Sequence, residues 1–99
     1  SIMVNKDLLY KSKSKLLKLI NIWMADNTVF AKIFRFIWFN SNGVNEYILK
    51  QYIESISTGN GNYYYIEINK NEYSNIIYTD ENRVTSLTVN ALEYIKTMK

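Results

Sequence analysis

Residues 57–87 read STGNGNYYYIEINKNEYSNIIYTDENRVTSL, and the fold turns on residues 60–69 within them, NGNYYYIEIN. The later half of the stretch is plain. Asn75-Ile76-Ile77-Tyr78 and Arg83-Val84-Thr85-Ser86-Leu87 are β-prone runs on either side of the turn formers Asp80-Glu81-Asn82, which predicts a hairpin. The earlier half admits two readings. As a strand, Tyr64, Ile66 and Ile68 alternate with Tyr65, Glu67 and Asn69, and local propensity favours this choice. As a helix, Ser57 or Thr58 supplies the N-cap, and Gly61, Tyr65 and Ile68 share one face at i, i+4 and i+7.

The totals bound what such a chain can do. Its 99 residues suit a single domain over residues 1–99, large enough for a core. A hydrophobic content of 47% with 15% aromatics excludes a disordered chain. With no Cys there is no disulfide framework or thiolate metal site, and with no His the commonest general base and metal ligand is missing. The carboxylate groupings worth testing for catalysis are Glu46/Glu54, eight residues apart on an expected helix, and Asp80/Glu81, adjacent in a turn. Neither has a base or a phosphate loop beside it, so both read as solvated surface and neither an enzyme nor a cofactor is expected. Asn, Ile, Lys and Tyr supply 45 of the 99 residues. These are residues of AT-rich codons, so Tyr63-Tyr64-Tyr65 alone is no sign of an aromatic platform.

The net charge is +3, unevenly spread. Residues 1–18 carry Lys6, Lys11, Lys13, Lys15 and Lys18 against Asp7, whereas residues 44–82 carry Glu46, Glu54, Glu67, Glu72, Asp80 and Glu81 against Lys50 and Lys70. The basic start permits an anionic partner, or is simply a solvated face. The acidic middle counts against a simple phosphate-binding surface there. No leader pattern precedes the domain, and a cytoplasmic protein is expected.

Working outward, residues 1–5 read as a frayed start. Residues 6–26 place Leu9, Leu16, Ile20 and Trp23 at helical spacing, as one helix or two short ones. Asp26-Asn27-Thr28 is a polar break with N-cap chemistry. Residues 29–39, VFAKIFRFIWF, are apolar nearly all round but too short to span a bilayer. Val29, Phe30, Ile33, Phe34, Phe36 and Ile37 suffice for a core stripe and leave Trp38 and Phe39 over. A helix apolar on more than one face predicts one side in the core and one against a second subunit. The expected dimer interface is therefore Leu16, Ile20, Trp23, Trp38 and Phe39. Residues 40–43 end this helix, with Gly43 suited to a left-handed cap. Residues 44–55 read as a short helix with Val44, Ile48, Tyr52 and Ile53 inward and Lys50 outward. Residues 56–59 are a tight connection and residues 69–74 a polar link. Residues 87–99 read as a last helix capped by Thr88, with Leu87 or Val89, Leu92 and Ile95 inward and Lys96 and Lys99 at its end.

This order, mainly α with a small β-hairpin, resembles a dimeric winged helix-turn-helix domain over about residues 27–98. Residues 75–88, NIIYTDENRVTSLT, look like a wing whose second strand ends in Leu-Thr and leads into a C-terminal helix. Residues 48–68 look like the helix-turn-helix, with Ser57 starting the recognition helix. Within that superfamily the chain is similar to the TubR family, DNA-binding adaptors of tubulin-like plasmid and phage partition systems. The likeness rests on length, a helix ahead of the domain, the Asn40-Ser41-Asn42-Gly43 end of the central helix, and the distance from Ser57 to Leu87-Thr88. The resemblance implies a homodimer on double-stranded DNA, with paired recognition helices in the major groove and basic wings reaching the minor groove; the expected site is a set of AT-rich repeats. It also implies recruitment of a tubulin-like filament-forming GTPase and often repression of the protein's own operon; no membrane partner is expected, because residues 29–39 are too short to span a bilayer. The wing departs from the family in carrying Asp80 and Glu81 with Arg83 as its one strong cation. The recognition helix would hold two glycines, each costing about 1 kcal/mol relative to Ala.

Under the helix reading, the outer face presents Thr58, Asn60, Asn62, Tyr63 and Glu67, and Ser57 at the helix start is a further DNA-binding candidate. Asn matches the edge of adenine, Ser, Thr and Tyr bond phosphate, and Glu accepts from cytosine. Asn82 and Arg83 sit on the wing, Arg83 suited to a narrow AT-tract minor groove. Lys32, Lys50, Lys70 and the N-terminal lysines would meet phosphates. The plainer alternative makes the Asn residues surface filler and pairs Arg83 with Asp80 or Glu81. Two other functions fit: an ordinary winged-helix transcriptional repressor, and a protein–protein interaction module in which residues 63–68 form a strand.

Overall fold

The computed structural model describes the backbone of residues 2–98 and the side chains of residues 14–98. Helices α1 (Ile2–Ala25) and α2 (Val29–Phe39) come first, then strand β1 (Val44–Asn45) and helices α3 (Glu46–Ser57) and α4 (Gly61–Ile68). A 3-10 turn (Asn71–Tyr73) leads to strands β2 (Ile77–Thr79) and β3 (Val84–Leu87) and helix α5 (Val89–Thr97). The chain is mainly helical with one three-stranded antiparallel sheet, in the order β1-β3-β2. Among the described residues no helix is long and apolar enough to cross a membrane.

The expected break at Asp26-Asn27-Thr28 is present. Thr28 has extended backbone angles and its hydroxyl accepts from the Ala31 N–H at 3.4 Å, the usual way of satisfying an orphan donor at a helix start. At the other side of the break, the Arg35 guanidinium donates to the carbonyls of Trp23 and Asp26, each at 2.7 Å. A cation on the unpaired carbonyls of a helix end is favourable electrostatically and locks α2 against the end of α1. The expected frayed start is corrected. Helix α1 begins at Ile2 and runs as one element. The side chains of Lys6, Lys11 and Lys13 lie outside the described residues.

Phe34, Ile33 and Ile37 of α2 form the centre of the core together with Ile20, Leu49, Ile53, Ile68 and Ile76. Trp23 packs among Phe30, Phe34 and Tyr73 at ring distances of 6.2, 5.5 and 5.3 Å. Ile20 and Trp23, expected at a dimer interface, are therefore enclosed within the chain, Trp23 with only 5% of its surface exposed. The spacing that put them on one helix face was right. It could not say whether α2 or a second subunit covers that face.

Two boundaries differ from expectation around residue 44. Val44 and Asn45 are a strand, paired with Thr85 and Val84 of β3, and Asn45 then caps α3 by accepting from the Ile48 N–H at 2.8 Å. The helix begins two residues later than its periodicity suggested and closes at Ser57. Its buried row is Leu49, Ile53 and Ser57, while Ile48, expected inward, is 49% exposed. Tyr52 is half-buried and stacks on Phe36 with ring centroids 3.9 Å apart.

Residues 61–68 are a helix, against local β propensity. Its inner face is the one the helix reading named: Gly61, Tyr65 and Ile68 are buried. The cap expected at Ser57 or Thr58 is corrected. Ser57 ends α3, Thr58 is the left-handed C-cap of that helix at φ +52, and Gly59 follows at φ +92. The turn between α3 and α4 is thus Thr58-Gly59-Asn60, and α4 carries one glycine, not two. Gly61 explains how the helix prevails. A Cβ there would run into the Glu54 side chain and lie 3.0 Å from the Lys50 carbonyl oxygen, so its absence lets α4 lie close on α3.

The hairpin has the expected place and turn. Asp80 accepts from the Asn82 and Val84 N–H groups at 2.8 and 3.0 Å, and Arg83 takes the left-handed conformation at φ +63. Buried Thr85 shares a hydrogen bond of 2.8 Å with Thr79, which donates to Asn69 at 2.6 Å and so ties the sheet to the end of α4. The last helix starts later than expected. Leu87 is buried in β3, Thr88 caps α5 through the Ala91 N–H at 3.2 Å, and Val89 is exposed. Ala91 and Ile95 face the core.

Candidate functional site

The outer side of α4 and the β2–β3 hairpin stand on either side of an open cleft of about 540 Å³. Ile66, Asn69 and Lys70 line it from α4 and its end, Thr79, Asp80 and Arg83 from the hairpin, and Tyr65 also borders it. Because Gly61, Tyr65 and Ile68 are spent on packing, helical geometry turns Asn62, Tyr63 and Ile66 away from the core. Tyr63 is 58% and Ile66 63% exposed. Among the described residues the Asn62 side chain makes no hydrogen bond, leaving its amide free for a partner.

The other sequence-chosen residues divide. Ser57 is buried and its hydroxyl donates to the Ile53 carbonyl. Thr58 and Asn60 are exposed, but each donates to the Ser57 carbonyl, at 2.7 and 3.1 Å, and so holds the turn before α4. Asn82 and Arg83 are exposed at the hairpin tip. Lys32 is half-buried on α2 and lies outside the residues that line the cleft. Ile66 was not singled out from the sequence. The signal was available: once Gly61, Tyr65 and Ile68 face inward, residue 66 must face out.

The charges around the cleft are compensated. Lys50 lies 2.8 Å from Glu46 and 5.0 Å above the Tyr65 ring, and Lys70 lies 2.9 Å from Glu67. Arg83 approaches Glu46 at 3.9 Å, not the Asp80 or Glu81 that sequence proximity suggested. The hydrogen bond from Lys50 holds the Glu46 carboxyl below its ordinary range, with the Lys50 and Arg83 charges adding to it. The hydrogen bond to Glu67 holds the Lys70 ammonium above its ordinary range. Solvent screening leaves surface pairs of this kind weakly held.

No group of three or more His, Cys, Asp or Glu suited to a metal ion occurs among the described residues. Of the carboxylate groupings, Asp80 is occupied by the hairpin backbone and Glu46 by Lys50. At the far end of α2, Phe39 is 74% exposed and its ring lies 5.1 Å from that of half-buried Trp38. Leu16 is half-buried against the core. In comparisons with known proteins, no family model, no characterised sequence and no solved structure matches this chain.

Proposed function

We propose that the chain is a winged helix-turn-helix protein that binds double-stranded DNA. In this reading α3 and α4 are the helix-turn-helix, α4 enters the major groove, and the β2–β3 hairpin is a wing with β1 as its third strand. The observation that carries it is the exposed Asn62-Tyr63-Ile66 face of α4, whose Ile66 borders the cleft opposite a hairpin tipped by Arg83. Asn62 supplies a donor and an acceptor for adenine, Tyr63 a hydroxyl for phosphate, and Arg83 a guanidinium for the minor groove. Thr58 and Asn60 shape the turn that aims the helix. Lys70, with the lysines of α1, supplies phosphate contacts.

The protein acts as a homodimer through the end of α2, half-buried Trp38 and exposed Phe39, and binds repeated AT-rich sites. Following the resemblance to the TubR family, it links plasmid or phage DNA to a tubulin-like GTPase filament and represses its own operon. An ordinary repressor would bind DNA equally well and recruit no such filament. Anisotropy titration against duplex DNA flanking its own gene should give binding that weakens steeply with salt, log K falling by about 0.9 per phosphate contact for each unit of log salt. No binding at low ionic strength overturns the proposal. Light scattering at micromolar protein should report a dimer.

One observation favours a second reading, a protein-binding module. Lys50, Lys70 and Arg83 each have a carboxylate within 4.0 Å, while Tyr63, Ile66 and Tyr78 stay exposed. The version of this reading with residues 63–68 as a strand is corrected by the helix there. What remains is an apolar face of α4 that would bind a protein in a salt-insensitive way.

A further inference from the structure

We infer that Ile66 is a specificity-determining residue that recognises the 5-methyl group of thymine, in partnership with Asn62. The inference rests on the DNA-binding reading and extends it to a residue and an atom.

An isolated exposed isoleucine is ordinary on a protein surface and would carry nothing. Ile66 is set apart by its company. It lies one helical turn beyond Asn62 on the side of α4 opposite the buried Gly61, Tyr65 and Ile68. Asn62 is exposed and, among the described residues, spends neither its amide donor nor its acceptor within the chain. Asn69, by contrast, donates to the Tyr65 carbonyl at 2.9 Å and accepts from Thr79 at 2.6 Å, and Asn60 donates to the Ser57 carbonyl at 3.1 Å. The free carboxamide and the branched alkyl group therefore sit together, with Tyr63 as their exposed neighbour.

An A·T pair offers that combination in the major groove. Adenine presents an acceptor and a donor side by side, and thymine presents the only methyl group there; a G·C pair has no methyl. Asn62 and Ile66 are separated by about 6 Å along the helix axis. One base-pair step is about 3.4 Å. The pair therefore spans an adenine and a thymine one or two steps apart. Removing the methyl group from water against Ile66 distinguishes thymine from cytosine and from uracil alike.

The test uses the whole chain and a duplex enriched from a random library by binding to it. That duplex is compared with copies in which single thymines are replaced by deoxyuridine, which removes the methyl and keeps base pairing. The wild type should bind about fourfold more weakly at each contacted thymine, the equivalent of one buried methyl. Ile66→Ala, with its circular dichroism unchanged, should bind the thymine duplex more weakly and lose the uracil penalty. A uracil penalty that persists undiminished in Ile66→Ala overturns the inference, because another residue then reads the methyl. Wild-type binding indifferent to uracil at every position also overturns it while leaving DNA binding intact. Failure to enrich any duplex removes the DNA-binding reading and the inference with it.

Discussion

Tyr65 and Thr58 are held in conditions their side chains do not favour. The Tyr65 hydroxyl is buried and, among the described residues, has no hydrogen-bond partner, while its ring lies between the core and the Lys50 ammonium. A buried polar group left unpaired costs about 1–3 kcal/mol, so Tyr65→Phe should stabilise the protein by about 1 kcal/mol. Urea denaturation measures this, and a loss of stability would mean that the hydroxyl has a partner. Thr58 is β-branched and left-handed at φ +52. The left-handed conformation costs an ordinary residue about 1–2 kcal/mol and is tolerated best by Gly and Asn. Thr58→Asn should therefore raise stability by about 1 kcal/mol, seen as a melting point higher by about 4–8 °C.

At the scale of the element, α4 is the case where local and tertiary preferences conflict. Tyr and Ile favour a strand and glycine weakens a helix, yet the helix forms because its Gly61-Tyr65-Ile68 face completes the core against α3. Propensity alone predicts that Gly61→Ala gains about 1 kcal/mol. The close approach of Glu54 and the Lys50 carbonyl predicts a loss of about 1–3 kcal/mol from overpacking. Packing should win, and Gly61→Ala should be destabilised by about 1 kcal/mol in a denaturant titration. A stabilised variant would mean that α3 and α4 separate easily. Strand β1 shows the converse. Two residues carry no periodicity, and Val44-Asn45 becomes a strand only because β3 is there to pair with it.

At the scale of the molecule, pH dependence should come from the acid and alkaline ends, since no His is present to titrate near neutrality. The Glu46 carboxyl is held below its ordinary value of 4.5 by Lys50, so folding favours its ionised form. Its contribution is present above pH 4.5 and is lost as pH falls through the lowered folded-state value. Glu46→Gln should flatten that part of the acid limb in melting curves recorded against pH. Lys70 is shifted upward from 10.5 by Glu67, so its contribution holds below pH 10.5 and is lost as pH rises through the higher folded-state value. Burial raises the Tyr73 hydroxyl above 10.0, and its ionisation in the unfolded chain likewise lowers stability above pH 10.0. An acid limb identical in wild type and Glu46→Gln would show that the pair is fully screened.

The sequence by itself determined what short-range chemistry controls. It set helix α2 with its Thr28 cap, the Thr88 cap of α5, and the hairpin with its Asp80-Glu81-Asn82 turn. Each depends on residues within a few positions of one another. Of the candidate site, Arg83 was legible from the turn, whereas Asn62 and Tyr63 face outward only once residues 61–68 are a helix. Ser57 was misread because nothing near it says which of two adjoining helices it joins. Only the tertiary structure decided that residues 61–68 are a helix, that Ile20 and Trp23 are covered by their own chain, and that Ile66 lies open beside Asn62. In each of those cases the deciding surface comes from a distant part of the chain, where no local pattern records it.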